Sequence, residues 1–386
     1  MRFLHTSDWH VGKTLRGESR LDEHRAVLAE IAGLAAEHSV DAVLVTGDLF
    51  ESAAPTPDAQ RVVWDALLSL RATGATVLAI AGNHDNAASF DAFRPLAAAA
   101  GITLLGYPTR AQAGGVVEVR ARGGEVAQVA LLPFLSQRYA VKAEQVMGLD
   151  AAQMTGVYAD RFARIVAALC EAMRDDAVRV LCTHATLRGG RRGGGERDAQ
   201  TILEYEVDPS VFPAALHYVA AGHLHRTQSI DAPAPCWYPG SPVQVDFGEE
   251  GHDSAVLLVE SRLGVRTTVR ALPLSSPARL QTLRGSMAQL EALAGTTGDT
   301  WLRIVVEELG RPGISDEVRA LFPRAVDVRV QSAPVSDSRE RRERADQSPR
   351  ELFTQFLDET GHARDQRLLE LFDELVDEVV AEEAWR

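Results

Sequence analysis

Five short apolar runs each end in residues able to hold a metal ion, and no other feature limits the possible folds of this chain so strongly. The run 77–81 stops at Gly82-Asn83-His84-Asp85. The run 3–6 leads into Asp8-Trp9-His10, and 42–46 leads into Gly47-Asp48. The run 178–183 ends at His184, and 218–221 runs into Gly222-His223-Leu224-His225. Apolar runs of this length read as buried strands. An Asn seldom follows a buried strand for packing reasons, because its amide must find partners. In open α/β sheets ligands gather at the carboxyl ends of strands. The pattern therefore predicts five strand ends meeting at one place.

The order of elements supports this expectation. Ser19 is placed to cap a helix over 21–38, where Leu21, Val27, Leu28, Ile31 and Leu34 recur at helical spacing. Pro57 suits the first turn of a second helix over 57–71. Strand, helix, strand, helix and strand with short links favour a layered α/β fold with parallel pairing. A helix over 89–100 follows. Glycine pairs at 114–115 and 123–124 then divide short strands over 103–132 that read as antiparallel, so the sheet system is mixed. A helix over 155–174 feeds the strand that ends at His184. Further strands fall around 237–238, 255–259 and 265–271. Residues 273–278 have linker composition. After them come a helix (287–293), a strand (301–307), a helix (316–321) and a strand (326–330). Residues 331–347 are polar and rich in charge. Ser348-Pro349-Arg350-Glu351 is a strong helix start, and two amphipathic helices close the chain. Phe353, Phe356, Phe372, Leu375 and Val379 lie on their stripes. Those stripes serve either to dock a partner or to pack within their own unit.

Composition narrows the class. The chain has 386 residues, 46% hydrophobic and 24% charged, which is ordinary for a soluble globular protein. The apolar runs are too short to span a bilayer, and no signal-like stretch opens the chain. Cys170, Cys182 and Cys236 are widely spaced, which argues against a disulfide framework or a thiolate zinc site and suits a reducing cytoplasm. The net charge of −14 argues against a surface coated in basic charge, although a basic groove can sit on an acidic body. Nearly all positive charge is Arg. That fits either phosphate recognition by guanidinium groups or the codon bias of a GC-rich genome. Arg188, Arg191, Arg192 and Arg197 lie in a glycine-rich stretch just after His184. They read either as phosphate-binding groups at the mouth of a site or as a solvated loop.

Asp8, His10, Asp48, Asn83, His184, His223 and His225 are two carboxylates, an amide and four imidazoles. This donor set suits Mn²⁺, Fe²⁺ or Zn²⁺. Asp8 with His10, and His223 with His225, are two apart and would point to one side of an extended segment. Seven ligands exceed the needs of one ion. With Asp48 bridging, they divide around two ions about 4 Å apart, which would bind phosphate oxygens and lower the pKa of a water between them. His84, one residue past a proposed ligand, is placed to protonate a leaving alkoxide. His5 and His217 read as hydrogen-bonded core residues. His24, His38, His252 and His362 read as surface residues.

Together Asp8-x-His10, Gly47-Asp48, Gly82-Asn83-His84-Asp85, Thr183-His184 and Gly222-His223-x-His225 resemble the signature of the calcineurin-like metallophosphoesterases. The opening Met1-Arg2-Phe3-Leu4-His5-Thr6-Ser7-Asp8-Trp9-His10, Gly240-Ser241-Pro242 and Arg339-Glu340-Arg341-Arg342-Glu343-Arg344 are similar to the SbcD-type nuclease subunits of bacteria. The resemblance implies an α/β/β/α two-sheet sandwich, a small α+β capping domain and a C-terminal helical hairpin. Their bounds would be 1–272 for the nuclease domain, 273–335 for the cap, 336–347 for a linker and 348–386 for the hairpin. It implies two Mn²⁺ ions, one on Asp8, His10, Asp48 and His225, the other on Asp48, Asn83, His184 and His223, with His84 as catalytic acid. It further implies 3′-to-5′ exonuclease and endonuclease action on DNA ends, hairpins and single strands. The implied partners are an SbcC-type coiled-coil ATPase and a second copy of the chain, with no membrane. Some members carry a second His three residues after the bridging Asp. Here that position is Glu51, to which no such role is given. A phosphatase or cyclic-nucleotide phosphodiesterase on the same metal core is the rival, although phosphatases usually carry GDxVDRG and GNHE where this chain has GDLFE and GNHD. A scaffold with one closed structural ion is the remaining alternative.

Overall fold

The computed structural model describes residues 1–136, 151–195 and 206–331, the backbone alone at 151–155, and scattered positions between 350 and 375. It separates into two units, Met1–Val330 and Gln331–Arg386.

The first unit is built on two six-stranded sheets. In spatial order the first runs Val265–Pro273, Ala255–Arg262, Arg2–Thr6, Ala42–Thr46, Thr76–Ile80, Ile102–Leu105. Its last four strands are parallel, and the two others add an antiparallel edge. The second runs Gln228–Ile230, Cys236–Tyr238, Tyr218–Gly222, Val178–His184, Val126–Leu132, Val116–Arg120, parallel in its four central strands.

Side-chain alternation sorts each strand's residues between two cores. In Ala42–Thr46, Val43 and Val45 face the helices Leu21–Glu37 and Pro57–Ala72, while Ala42 and Leu44 face the other sheet. In Val178–His184, Leu181 packs toward the helix Ala151–Glu171, while Val180 and Cys182 face the first sheet. Both faces of the central strands are therefore dry, so they read as continuous apolar runs. The layers are helix, sheet, sheet, helix, as expected. All three cysteines are buried and free.

The unit also carries a three-stranded parallel sheet of Leu280–Gly285, Trp301–Val306 and Ala325–Val330, with helices Met287–Glu291 and Ile314–Leu321 and its own core. A capping box between Ser286 and Gln289 starts the first of these helices. The strand Leu280–Gly285 is an addition to the sequence expectation, because it begins two residues after a stretch of linker composition. Glu23 ties this sheet to the body. It pairs with buried Arg20 and accepts from Ala278 N (3.0 Å) and Trp301 Nε1 (3.2 Å).

Two expectations near the first helix fail. Arg20, not Ser19, is its N-cap, because Ser19 is taken up pairing with Thr14. His24 is no surface residue. It is buried on the helix's inner face, and its Nδ1 donates to Arg20 O (2.8 Å).

Within the second unit, positions 350, 353–354, 357, 366–369, 371–372 and 375 are helical. Phe353 and Phe372 stack with centroids 4.1 Å apart and are half-buried. Leu368, Leu371 and Leu375 are exposed. Phe356, Val379, the linker 336–347 and the helix start at Ser348-Pro349 lie outside the described residues.

Candidate metal centre

Register places the strand ends level. Thr6 pairs with Val45 and Thr46 with Ile80, while across the sandwich His184 pairs with Gly222. The loops that leave the first sheet then run side by side: Asp8 N donates to Gly47 O and His10 N to Asp48 O, both at 3.0 Å. These loops are not extended as the sequence suggested. Asp8, His10, Asp48 and His223 have φ of 54°, 47°, 52° and 114°, a left-handed backbone that costs on the order of 1–3 kcal/mol per non-glycine residue. Such strain persists only where the surroundings enforce it, and here it turns each side chain into the gap between the sheets. Two glycines permit the close approach. A Cβ on Gly82 would lie 2.2 Å from Asp48 Oδ1, and one on Gly222 would lie 1.9 Å from Thr46 O.

The ligand atoms form two main groups, Asp8/His10/His225 and Asp48/His184/His223, each with its atoms within 4.8 Å of one another. Asn83 completes the second, its Oδ1 2.8 Å from both His184 Nε2 and His223 Nδ1. One atom, Asp48 Oδ2, lies 3.4 Å from His184 Nε2 and 3.8 Å from His10 Nε2, which places it between the groups. His10, Asp48 and His84 form a third, overlapping cluster. His223 and His225, expected to act as a pair from one direction, part toward different groups.

The hydrogen bonds show what the gap fits. A carboxylate or carbonyl oxygen only accepts, so the ring nitrogen facing it carries the proton. His10 Nδ1 donates to Glu51 Oε2 (3.1 Å), and His225 Nδ1 to Glu249 Oε1 (2.6 Å). Their Nε2 lone pairs then face each other at 3.1 Å. His184 Nδ1 donates to Thr46 O (2.8 Å), while its Nε2 faces two acceptors, Asn83 Oδ1 (2.8 Å) and Asp48 Oδ2 (3.4 Å), which call for a second proton on the ring or a cation in its place. Lone pairs converging this closely repel unless a cation lies among them. The oxygen and imidazole donors fit divalent ions of the Mn²⁺, Fe²⁺ or Zn²⁺ type.

Protein charges alone show the same demand. Burial works against ionised Asp48, yet the imidazoles of His184, His10 and His84 hold its carboxyl well below the usual range. Burial likewise opposes charge on His184, but Asp48 lifts it to about 9. A proton held that tightly marks a place where a cation is wanted. Glu51 is pulled down to about 2, against the effect of burial, by His10 and Lys13. Burial and the Asp48 charge push Asp85 up to about 7.

All seven expected ligands and His84 come together. The His84 ring meets the His10 ring edge-on at 4.7 Å, and its Nδ1 donates to Glu51 O at 2.9 Å. Arg188, Arg191 and Arg192 are exposed. Arg188 pairs with Asp208 (2.9 Å), and the backbone of Arg191 is clasped by Gln228 through bonds of 2.8 and 2.6 Å. Arg197 lies outside the described residues.

Sequence reasoning missed three supports. Asp85 accepts from Gly82 N, Phe50 N and Leu49 N, stapling two ligand-bearing loops. Ser241 Oγ donates to Asp8 O at 2.8 Å. Glu249, fixed behind His225, closes the short 3-10 helix Phe247–Glu249, where no motif announces it.

Fold and site together define a metallophosphoesterase whose residue clusters are compatible with a two-cation centre. The model of the calcineurin-like phosphoesterase family matches residues 1–227. Over its whole length the chain is 30% identical to all of the SbcD component of nuclease SbcCD from Bacillus subtilis. It is 35% identical to the corresponding SbcCD component of Rhodobacter capsulatus over 72% of this chain and 70% of the other. With that of Escherichia coli K12 it shares 29% over 96% and 97%. The chain belongs to the calcineurin-like phosphoesterases and, among them, to the SbcD family of nuclease components. It is a metal-dependent phosphodiester hydrolase.

Proposed function

We propose that the chain is a Mn²⁺-dependent DNA nuclease, acting as a 3′-to-5′ exonuclease on duplex ends and as an endonuclease on hairpins and single strands. It works in the cytoplasm with an SbcC-type coiled-coil ATPase in DNA repair, recombination and replication. The observation that carries this reading is the sharing of Asp48 Oδ2 between two groups of converging acceptors, with His84 beside them. Asp8, His10, Asp48 and His225 would hold one cation, and Asp48, Asn83, His184 and His223 the other. Two divalent ions held so close supply positive charge for the phosphate oxygens and make a water nucleophilic at neutral pH.

The chain's own residues do the rest. His84 is oriented by the bond from its Nδ1 to Glu51 O. Its Nε2 is then the atom that passes a proton to the leaving alkoxide. Burial lowers the pKa of this imidazole, Asp48 opposes that effect, and an arriving phosphodiester would oppose it further. Residues 1–272 form the nuclease domain, 273–335 a cap that positions DNA, and 336–347 a linker to a helical hairpin (348–386) that docks the ATPase. In that hairpin, exposed Leu375 is the residue best placed for the partner. Dimerisation is supported by the exposed apolar side chains Leu68, Phe93 and Leu96 on neighbouring helices.

The test is a 3′-labelled linear duplex incubated with the full chain in Mn²⁺, Mg²⁺ or chelator, with a phosphomonoester and a cyclic nucleotide in parallel. Mn²⁺-dependent strand shortening is expected. Turnover of the small esters alone would move the assignment to a phosphatase or cyclic-nucleotide phosphodiesterase. His84→Gln should cut strand shortening about 10²–10⁴-fold while metal content stays at the wild-type value. Loss of metal in that variant would refute the leaving-group role.

A further inference from the structure

On the two-cation reading above, we infer that Glu51 and Glu249 are positioning residues that make the Asp8/His10/His225 site the tighter of the two. Each holds an imidazole of that site by its outer nitrogen: Glu51 Oε2 accepts from His10 Nδ1 at 3.1 Å, and Glu249 Oε1 from His225 Nδ1 at 2.6 Å. The second oxygen of each carboxylate is also fixed, that of Glu51 by Lys13 Nζ (3.0 Å) and that of Glu249 by Val245 N (2.7 Å). Glu249 is 2% exposed and enclosed so closely that a Cβ on Gly195 would lie 2.2 Å from its Oε1. Neither carboxylate can swing in to bind a cation itself without giving up these bonds.

The other site is built differently. The outer nitrogen of His184 meets a neutral carbonyl, Thr46 O, at 2.8 Å. Asn83 brings no charge where Asp8 brings one. A carboxylate behind an imidazole fixes its tautomer and raises its basicity, and removing such a partner typically lowers metal affinity about 10–100-fold. One site thus has Asp8, a share of Asp48 and two backing carboxylates, while the other has a share of Asp48 alone. Lys13 offsets part of the Glu51 charge, so Glu249 has the larger effect. The site with Asn83 is then the one that loads last and exchanges first.

The test is a titration of chelator-stripped full chain with Mn²⁺ alone, without DNA, followed by electron paramagnetic resonance. Wild type should bind in two steps at least about tenfold apart, with an isolated-ion six-line spectrum at the first equivalent. Glu249→Gln, which keeps one accepting oxygen for His225 Nδ1 but gives up the charge and the bond from Val245 N, should weaken the first step about 10–100-fold and leave the second unchanged. Glu51→Gln should do the same to a smaller degree, and it serves as the independent variant if Glu249→Gln does not melt cooperatively. General damage to the fold would weaken both steps together. Equal weakening of both, no weakening of either, or two equal steps in wild type would each overturn the inference. If wild type bound no Mn²⁺, the two-cation reading itself would fall; two ions bound with inert Glu variants would leave that reading standing.

Discussion

The two sheets give unlike things to the centre. The first supplies the carboxylates Asp8 and Asp48 and the amide of Asn83, together with the imidazoles of His10 and His84. The second supplies only imidazoles, His184, His223 and His225. Charge therefore comes from one wall of the gap and neutral donors from the other. Left-handed strain follows the same division, with three of the four strained ligands on the first sheet. The two walls face each other because Phe3, Leu44, Leu78 and Ile80 pack against Val129, Leu131, Val180 and Cys182 beneath them. The donors of each wall are thus incomplete until the core beneath them has formed.

If the walls differ in this way, removing a charge and removing an imidazole should differ too. Asp48→Ala should abolish both bound ions and reduce hydrolysis at least about 10⁴-fold, because one carboxylate oxygen serves both groups. His223→Ala should lose a single ion. Metal analysis of the two purified variants decides the point, and loss of only one ion from Asp48→Ala would break the comparison. A smaller effect should come from the spacing between the walls. In Gly222→Ala the new Cβ would meet Thr46 O at 1.9 Å and Ser7 Oγ at 2.2 Å. Backbone cannot yield cheaply there, so the sheets must part, at a cost of about 1–3 kcal/mol. Urea unfolding should show that loss together with weaker metal binding.

The sheets are legible in the sequence because their central strands are dry on both faces, as Val43 with Leu44 and Leu181 with Cys182 illustrate. The convergence of the candidate ligands is legible because Asp8, Asp48, Asn83 and the histidines close those strands. What escapes is set by tertiary contact. Nothing in the sequence around Asp8 or His10 announces a positive φ in a non-glycine residue. Glu249 is connected to His225 only through space. His24 does carry a signal, since it shares a helical stripe with Val27, Leu28 and Ile31, but a polar imidazole there reads as a surface group until its bond to Arg20 O is seen. The strand Leu280–Gly285 is hidden because its apolar residues, Leu280 and Leu283, stand three apart instead of alternating.

Acid should loosen the joint between the walls. His5 spans it, with Nδ1 2.9 Å from Tyr218 OH and Nε2 2.9 Å from Thr46 Oγ1. Burial lowers its pKa to about 3, and burial lowers that of His24 to about 4. Both values lie below that of an unfolded His, so the unfolded chain binds protons first as pH falls. Stability is full above about pH 6.5 and declines as the pH drops toward those folded values. Between pH 6.5 and 5 each residue should withdraw about 2 kcal/mol. Urea midpoints measured at both pH values test this, and His24→Leu should remove its share of the slope. An equal slope in that variant would show that His24 takes no part.

The smallest effect concerns the rim of the second sheet. Arg191 and Arg192 are exposed, and the backbone bonds between Arg191 and Gln228 tie them to the strand that follows His225. If the second wall contributes positive charge to DNA outside the centre, the walls differ in a further respect: the inner charge of one is negative and the rim charge of the other is positive. Phosphate contacts made by such side chains release counterions and carry no sequence preference. Alanine at both positions should then weaken duplex binding by roughly 1 kcal/mol and reduce the dependence of log K on log salt by about 1 to 2. Hydrolysis of a small diester, which never reaches the rim, should not change. Unaltered affinity and salt slope would make these two residues ordinary solvated surface and confine the difference between the walls to the centre itself.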